Sequence, residues 1–327
     1  MTPRRFASPT RRTALAGIAA LAGSAALPGT LRAAAPLTVV ATTGMIADAV
    51  RNLGGEAVSV EALMGPGVDP HAFRQTRSDI AAMTGADLVL WHGLYLEAQM
   101  EDFLRQLAER KPVTAVAEGL PQDLLIAHDD YDDKFDPHVW MDPALWRRVI
   151  SAVADAMSAV RPEAAETFAA RAETYGAEVA ALGAYTHDIL STVPEASRVL
   201  LTAHDAFNYF GATYGFDVVG IQGISTESEA GLARIEDLVA MLVERDIRAV
   251  FVESSVSDRN IRALVEGAAA RGHEVVIGGE LYSDAMGEPG TYEGTYLGII
   301  DHNTTTIARA LGGTAPERGR LGLLAAS

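Results

Sequence analysis

Apolar runs and amphipathic stretches alternate along most of the 327-residue chain. Short apolar runs bounded by turn residues read as buried strands, and apolar positions three and four apart read as helices. On that basis Leu37–Thr42, Val58–Met64, Asp87–Trp91 and Val113–Val116 are predicted strands. Met45–Leu53, Ser78–Thr84, Leu96–Arg110 and Ala144–Val160 are predicted helices, and Glu118–Pro137 is a polar loop. A second series follows, with strands at Val199–Leu201, Phe216–Ile221, Ala249–Val252 and Glu274–Ile277. Its helices are Ala206–Tyr214, Leu232–Arg245, Asp258–Arg271 and Tyr292–Leu311, with a loop over Glu280–Thr291. Regular βα alternation predicts mostly parallel sheets flanked by helices.

Between the two series, Arg161-Pro162-Glu163 opens a longer helical pattern in which Phe168, Tyr175, Val179, Leu182 and Ile189 recur up to Pro194. At 1.5 Å per residue, about 30 residues reach roughly 45 Å, enough to cross the molecule. Gly176 and Gly183 weaken its regularity. The predicted architecture is an α/β lobe over residues 36–160, a bridging helix over 161–193 and a second α/β lobe over 194–327. Folds of this kind bind ligands in the crevice at the carboxyl ends of their strands.

Residues 1–35 carry Arg4, Arg5, Arg11, Arg12 and Arg32 and no acid. The apolar run Ala14–Leu27 and the small residues Ala33-Ala34-Ala35 complete the pattern of a cleaved secretory signal. Arg11-Arg12 with Leu15 resembles a twin-arginine signal. The expected compartment is the periplasm, and the expected cut falls within Leu31–Pro36. The formal charge of −17 becomes more negative once those arginines are removed, which argues against nucleic acid as a partner. The chain has no cysteine. Thiolate metal sites and an N-terminal lipid anchor are thereby excluded, so a transition-metal site must use His, Asp, Glu or water.

Two histidines stand out by repetition. Asp69-Pro70-His71 and Asp136-Pro137-His138 are the same tripeptide, both in loops of the first lobe. Proline stiffens the approach to each imidazole, and Asp69 and Asp136 can bond the backbone or orient a ring. His204 follows the strand Val199–Leu201 at the start of the second lobe. Asp284, in the loop 280–291, is the candidate acid to complete a metal site, and Glu253, at the end of Ala249–Val252, is its rival. His92 is expected as a wall of the crevice, His187 and His273 at the surface, and His302 as structural.

The chain resembles the zinc/manganese solute-binding proteins of ABC importers, the cluster A-I or ZnuA/TroA type. The resemblance rests on Gly65-Pro66-Gly67-Val68-Asp69-Pro70-His71, Ser78-Asp79, and His92-Gly93-Leu94-Tyr95-Leu96-Glu97. It continues with Asp136 to Pro143, Thr202 to Phe210, Gly223 to Glu229, Phe251-Val252-Glu253, Tyr282-Ser283-Asp284 and Asn303. It implies two Rossmann-like lobes joined by a rigid backbone helix, with one metal between them held by His71, His138, His204 and Asp284. Glu253 then stands behind the metal ligands. Three imidazoles and one carboxylate suit Zn²⁺, whereas Mn²⁺ takes more oxygen. Gly223–Glu229 is closer to manganese-type members, so Mn²⁺ is the alternative cargo. The resemblance also implies a monomer that delivers its metal to an ABC permease.

Many zinc-type members carry a long His-rich loop before the second ligand. Here that segment is short and acidic, as in AztC-like members: His128, Asp129, Asp130, Asp132 and Asp133 beside Tyr131 and Lys134. It is either a solvated turn or a capture and docking point for a periplasmic metal-donor protein. A zinc hydrolase is disfavoured, because catalytic zinc keeps an open position and four protein ligands close it. An organic-solute binder has no need of three clustered histidines.

Overall fold

The computed structural model describes Thr2, residues 35–128, Tyr131 and residues 133–325. Most of the expected export signal, and Asp129, Asp130 and Asp132 of the acidic loop, lie outside the described residues. No helix among the described residues is long and apolar enough to cross a membrane.

The first lobe is built on β1 (Leu37–Ala41), β2 (Val58–Ala62), β3 (Leu88–Trp91) and β4 (Val113–Ala115). They form one parallel sheet in the order β2-β1-β3-β4. β3 is buried along its whole length, consistent with an apolar strand covered on both faces. Helices α1 (Gly44–Gly54), α2 (Arg77–Gly85), α3 (Glu101–Ala108) and α4 (Pro143–Val160) belong to this lobe. The Asp142 carboxylate accepts from the Ala144 amide at 2.7 Å and caps α4, with Pro143 in its first turn. Leu145, Trp146, Val149, Ile150, Val153 and Met157 then form its buried stripe.

The bridging helix α5 runs over Ala165–Leu190, 26 residues, after a single 3₁₀ turn at Pro162–Ala164. It is shorter than the sequence pattern predicts because the chain breaks at Arg161 (φ −128°, ψ 69°) and turns again before Pro194. Phe168, Tyr175, Val179, Leu182 and Leu190 bury one face against α1 and α4 of the first lobe. The same helix packs on the closing helix of the second lobe. Gly183 lets α4 approach closely, since a Cβ there would lie 3.2 Å from the Pro143 Cβ.

The second lobe carries β5 (Val199–Thr202) paired in parallel with β6 (Asp217–Gly220), and β7 (Ala249–Glu253) paired in parallel with β8 (Val276–Leu281). β5 lies beside β7. Helices α6 (Asn208–Tyr214), α7 (Leu232–Glu244), α8 (Arg259–Ala270) and α9 (Tyr296–Ala310) complete it. β8 begins and ends later than the sequence pattern predicts, reaching Leu281. Gly278 and Gly279 read as loop, but Gly279 sits at φ +151° beside a register shift in β7, where a side chain would strike Thr306. α3 starts five residues later than predicted, because Leu94 and Tyr95 adopt left-handed backbone (φ 53° and 71°) and turn the chain first.

One continuous apolar core includes Leu37, Ile46, Trp140, Trp146, Phe168, Val179, Phe207, Phe251, Tyr296 and Ile299. It therefore runs through both lobes and the bridging helix. Hinge opening would tear it, because close-packed interiors transmit strain rather than flow.

Candidate metal centre

The carboxyl ends of the strands face one another across the cleft. His71 comes from the loop after β2, His204 from the turn after β5 and Asp284 from the loop after β8. His138 arrives from the loop that precedes α4. The four side chains each offer one donor atom, and those atoms all lie within 4.8 Å of one another. His138 Nε2 is 3.3 Å from His71 Nε2, 3.4 Å from His204 Nε2 and 3.3 Å from Asp284 Oδ1. Asp284 Oδ2 is 3.2 Å from His204 Nε2. All four are buried, His138 and His204 fully. Two donors come from each lobe.

Carboxylates aim two of the rings. Asp136 Oδ1 lies 2.7 Å from His138 Nδ1 and also accepts from the His138 amide at 2.9 Å. Glu253 Oε2 lies 2.5 Å from His204 Nδ1, and its Oε1 accepts from the His204 amide at 2.8 Å. Each contact keeps the proton on Nδ1 and turns Nε2 toward the common centre. Glu253 thus stands behind His204, and Asp284 is the acid that reaches the four-donor cluster.

The first Asp-Pro-His, Asp69-Pro70-His71, behaves differently. Asp69 Oδ1 accepts from the His71 amide at 2.8 Å, but its Oδ2 accepts from the Thr226 hydroxyl at 2.5 Å, across the cleft. Asp69 therefore steers a loop and not its imidazole. The Asp136 carboxylate is itself held by Asn208 Nδ2 at 3.1 Å, and its carbonyl accepts from the Tyr209 hydroxyl at 2.9 Å. Asn303 clamps Tyr282, accepting from its amide at 2.9 Å and donating to its carbonyl at 2.7 Å, two residues before Asp284.

Burial pushes the His71 ring down to about 3, so it stays a neutral donor. Burial acts in the same direction on His138, but Asp136 and then Asp284 outweigh it and raise the ring to about 9. His204 is raised well above its usual range, with Glu253 and Asp284 overcoming burial. The Asp284 carboxyl goes the other way: burial would raise it, but His204 and His138 hold it well below the usual carboxylate range. The upward shifts of His138 and His204 favour protonated rings, and a metal ion would compete with those protons.

The other histidines divide. His92 is buried, with Nε2 2.7 Å from the Pro137 carbonyl, immediately before His138. His187 is exposed on α5. His273, expected at the surface, is instead buried, with Nε2 2.8 Å from the Ile247 carbonyl, because the turn after α8 folds it under β7. His302 is 2.9 Å from the Glu280 carbonyl and outside the cluster. His128 is buried, in ring contact with Tyr131 at 4.8 Å, on a loop closed by an Ala127–Phe135 bridge. Neither it nor Asp133 belongs to the four-donor group.

Residues 39–310 match the family described as zinc-uptake complex component A, periplasmic (ZnuA). The chain belongs to this family. The ZnuA-type proteins are the metal-binding, solute-binding components of ABC importers. Over 275 residues the chain is 49% identical to the manganese-binding lipoprotein MntA of Bacillus subtilis, covering 84% of this chain and 90% of that protein. It is 44% identical to the zinc-binding protein TroA of Treponema pallidum over 273 residues, 84% of this chain and 88% of the relative. The solved structure of TroA from Treponema pallidum superposes with a TM-score of 0.82 at 43% identity, covering 84% of this chain and 99% of that one. These likenesses place the chain in the two-lobed α/β fold of metal-binding solute receptors.

Asn208, Tyr209, Thr226 and Trp140 hold the site together but carry no metal-ligand chemistry of their own. Trp140, Asn208 and Tyr209 lie beside the His motifs in the sequence, whereas Thr226 is far from all of them.

Proposed function

We propose that this chain is a periplasmic receptor that captures Zn²⁺ between its lobes and delivers it to the permease of an ABC importer. His71, His138, His204 and Asp284 are the proposed ligands. The observation that carries the reading is the spacing of their donors. Tetrahedral zinc with bonds of about 2.0–2.1 Å sets ligand–ligand edges of about 3.3–3.4 Å. The three edges that meet at His138 Nε2, 3.3 to 3.4 Å, have that length, and the four donors all lie within 4.8 Å of one another. Four protein ligands leave no open position for an activated water, which favours carriage over hydrolysis.

Manganese is the second reading. Asp284 presents each of its oxygens to a different imidazole, so it can supply a fifth donor of the kind Mn²⁺ prefers. The Bacillus subtilis relative is named for manganese.

The test is competition on metal-stripped mature protein offered Zn²⁺ with a large excess of Mn²⁺, with bound metal read by elemental analysis. One retained zinc per chain supports zinc capture. Stable manganese under those conditions overturns it, since zinc ordinarily outcompetes manganese at a shared site.

A further inference from the structure

We propose that Trp140 is a positioning residue that couples the proposed ligands of the two lobes, His138 and Asp284. It sits in the 3₁₀ turn Val139–Met141, two residues after His138, and is fully buried. Its indole Nε1–H donates at 2.8 Å to the carbonyl of Ser283, whose peptide bond leads into Asp284. Its ring meets the His138 imidazole edge-on, with centroids 5.2 Å apart at 65°. It meets His92 in the same way at 5.1 Å and 89°, and His92 itself faces the Pro137 carbonyl. The Trp140 carbonyl accepts from the Tyr296 hydroxyl at 2.9 Å, at the first residue of α9.

One side chain from the first lobe therefore touches a ligand ring directly and fixes the backbone beside a ligand carboxylate in the other lobe. A rigid aromatic does this with few rotors to order. Movement of the 282–284 loop is transmitted to the His138 ring, and the reverse, so the two halves of the cluster form and open together. Removing the indole donor leaves the buried Ser283 carbonyl without this bond and frees Asp284 to drift.

The proposal rests on His138 and Asp284 being ligands, and the test separates the two ideas. Trp140→Phe keeps an aromatic ring against His138 and deletes only the donor. Zinc dissociation is followed by chelator chase for wild type, W140F, D284A and W140F/D284A, with the melting temperature of each metal-free protein alongside. The expected result is about a tenfold faster release in W140F, the scale of lost support behind a metal ligand. In the D284A background W140F then has no further effect. A wild-type rate in W140F, or the same acceleration in both backgrounds, overturns the strut while leaving the ligands standing. An unchanged rate in D284A overturns the ligand reading and the strut with it.

A second measurement needs no variant. In ¹⁵N-indole-labelled wild-type protein, the Trp140 signal is assigned by its contacts to His138 and its hydrogen exchange is compared with and without zinc. Exchange at least about tenfold slower with zinc is expected when the Ser283 bond tightens with the cluster. Equal exchange overturns the coupling.

Discussion

Replacing Glu253 by glutamine changes one atom in a contact that must satisfy two donors at once. The carboxylate receives the His204 amide at 2.8 Å and faces His204 Nδ1 at 2.5 Å, with the pair fully enclosed. A glutamine has one accepting oxygen and one NH₂ group. If its oxygen keeps the amide, its NH₂ confronts Nδ1, and the imidazole proton moves to Nε2, where the metal should bind. If the amide flips, the buried backbone N–H loses its acceptor. Either route costs about 1–3 kcal/mol, the penalty for one buried unsatisfied donor or its equivalent. That corresponds to about 5- to 150-fold weaker zinc binding, in the range expected for losing a partner behind a metal-bound histidine. The assay is competition against a chelator of known affinity, with thermal melting of the metal-free protein as a folding control. A dissociation constant within twofold of wild type would refute the claim that Glu253 selects the His204 tautomer. A weakened site with an unchanged melting temperature would support it.

The remaining predictions concern the same cluster. His204→Ala is expected to lower zinc affinity by orders of magnitude while the chain still melts cooperatively. Asp284→Ala should cost less, because water can take the vacated position; equal losses in the two variants, read by chelator competition, would contradict this ordering. At pH 7 the raised rings of His138, near 9, and His204 are charged in the metal-free protein, whereas His71, near 3, is not. Zinc should therefore expel about two protons, and its apparent affinity should rise about a hundredfold per pH unit between about pH 6 and 8. Calorimetry in buffers of different ionisation enthalpy counts those protons, and a count near zero would sink the charge assignment. Thr226→Ala removes the 2.5 Å bond that ties the His71 loop to the opposite wall. A loss of about 1 kcal/mol predicts roughly fivefold faster zinc release in a stopped-flow chase.

Much of the scaffold was legible because buried parallel strands announce themselves as apolar runs: β1, β3, β5 and β7 lie within a residue or two of the predicted segments. β8 departs from its predicted segment because its close contact with Phe251 and Thr306 demands two glycines, the residues that usually mark loops. The late start of α3 has a tertiary cause. Buried Glu97 accepts from the amides of His92 and Gly93 and from the Thr42 hydroxyl, and so stabilises a turn where local propensity favours helix. The two Asp-Pro-His tripeptides look equivalent in one dimension. What distinguishes Asp69 from Asp136 is Thr226, distant in sequence and visible only in the fold. Trp140 and Tyr209 look like ordinary core aromatics in the sequence, since an apolar ring does not declare which carbonyl its polar tip will reach. For His273 the turn after a helix suggests exposure, yet the Ile247 carbonyl draws it inward.

The equal division of the donors between lobes has a mechanical consequence. Each lobe alone presents a two-toothed chelator, which in water holds a divalent ion weakly. The bridging helix and the shared core keep the second pair of teeth at a very high local concentration, so the grip is a product of two modest affinities. A product of that kind is steep in distance. If His71, His138, His204 and Asp284 hold the ion as proposed, release needs neither an unfolded loop nor a domain swung open. Parting the two proposed donor pairs would dissolve the chelate effect and leave the ion loosely held.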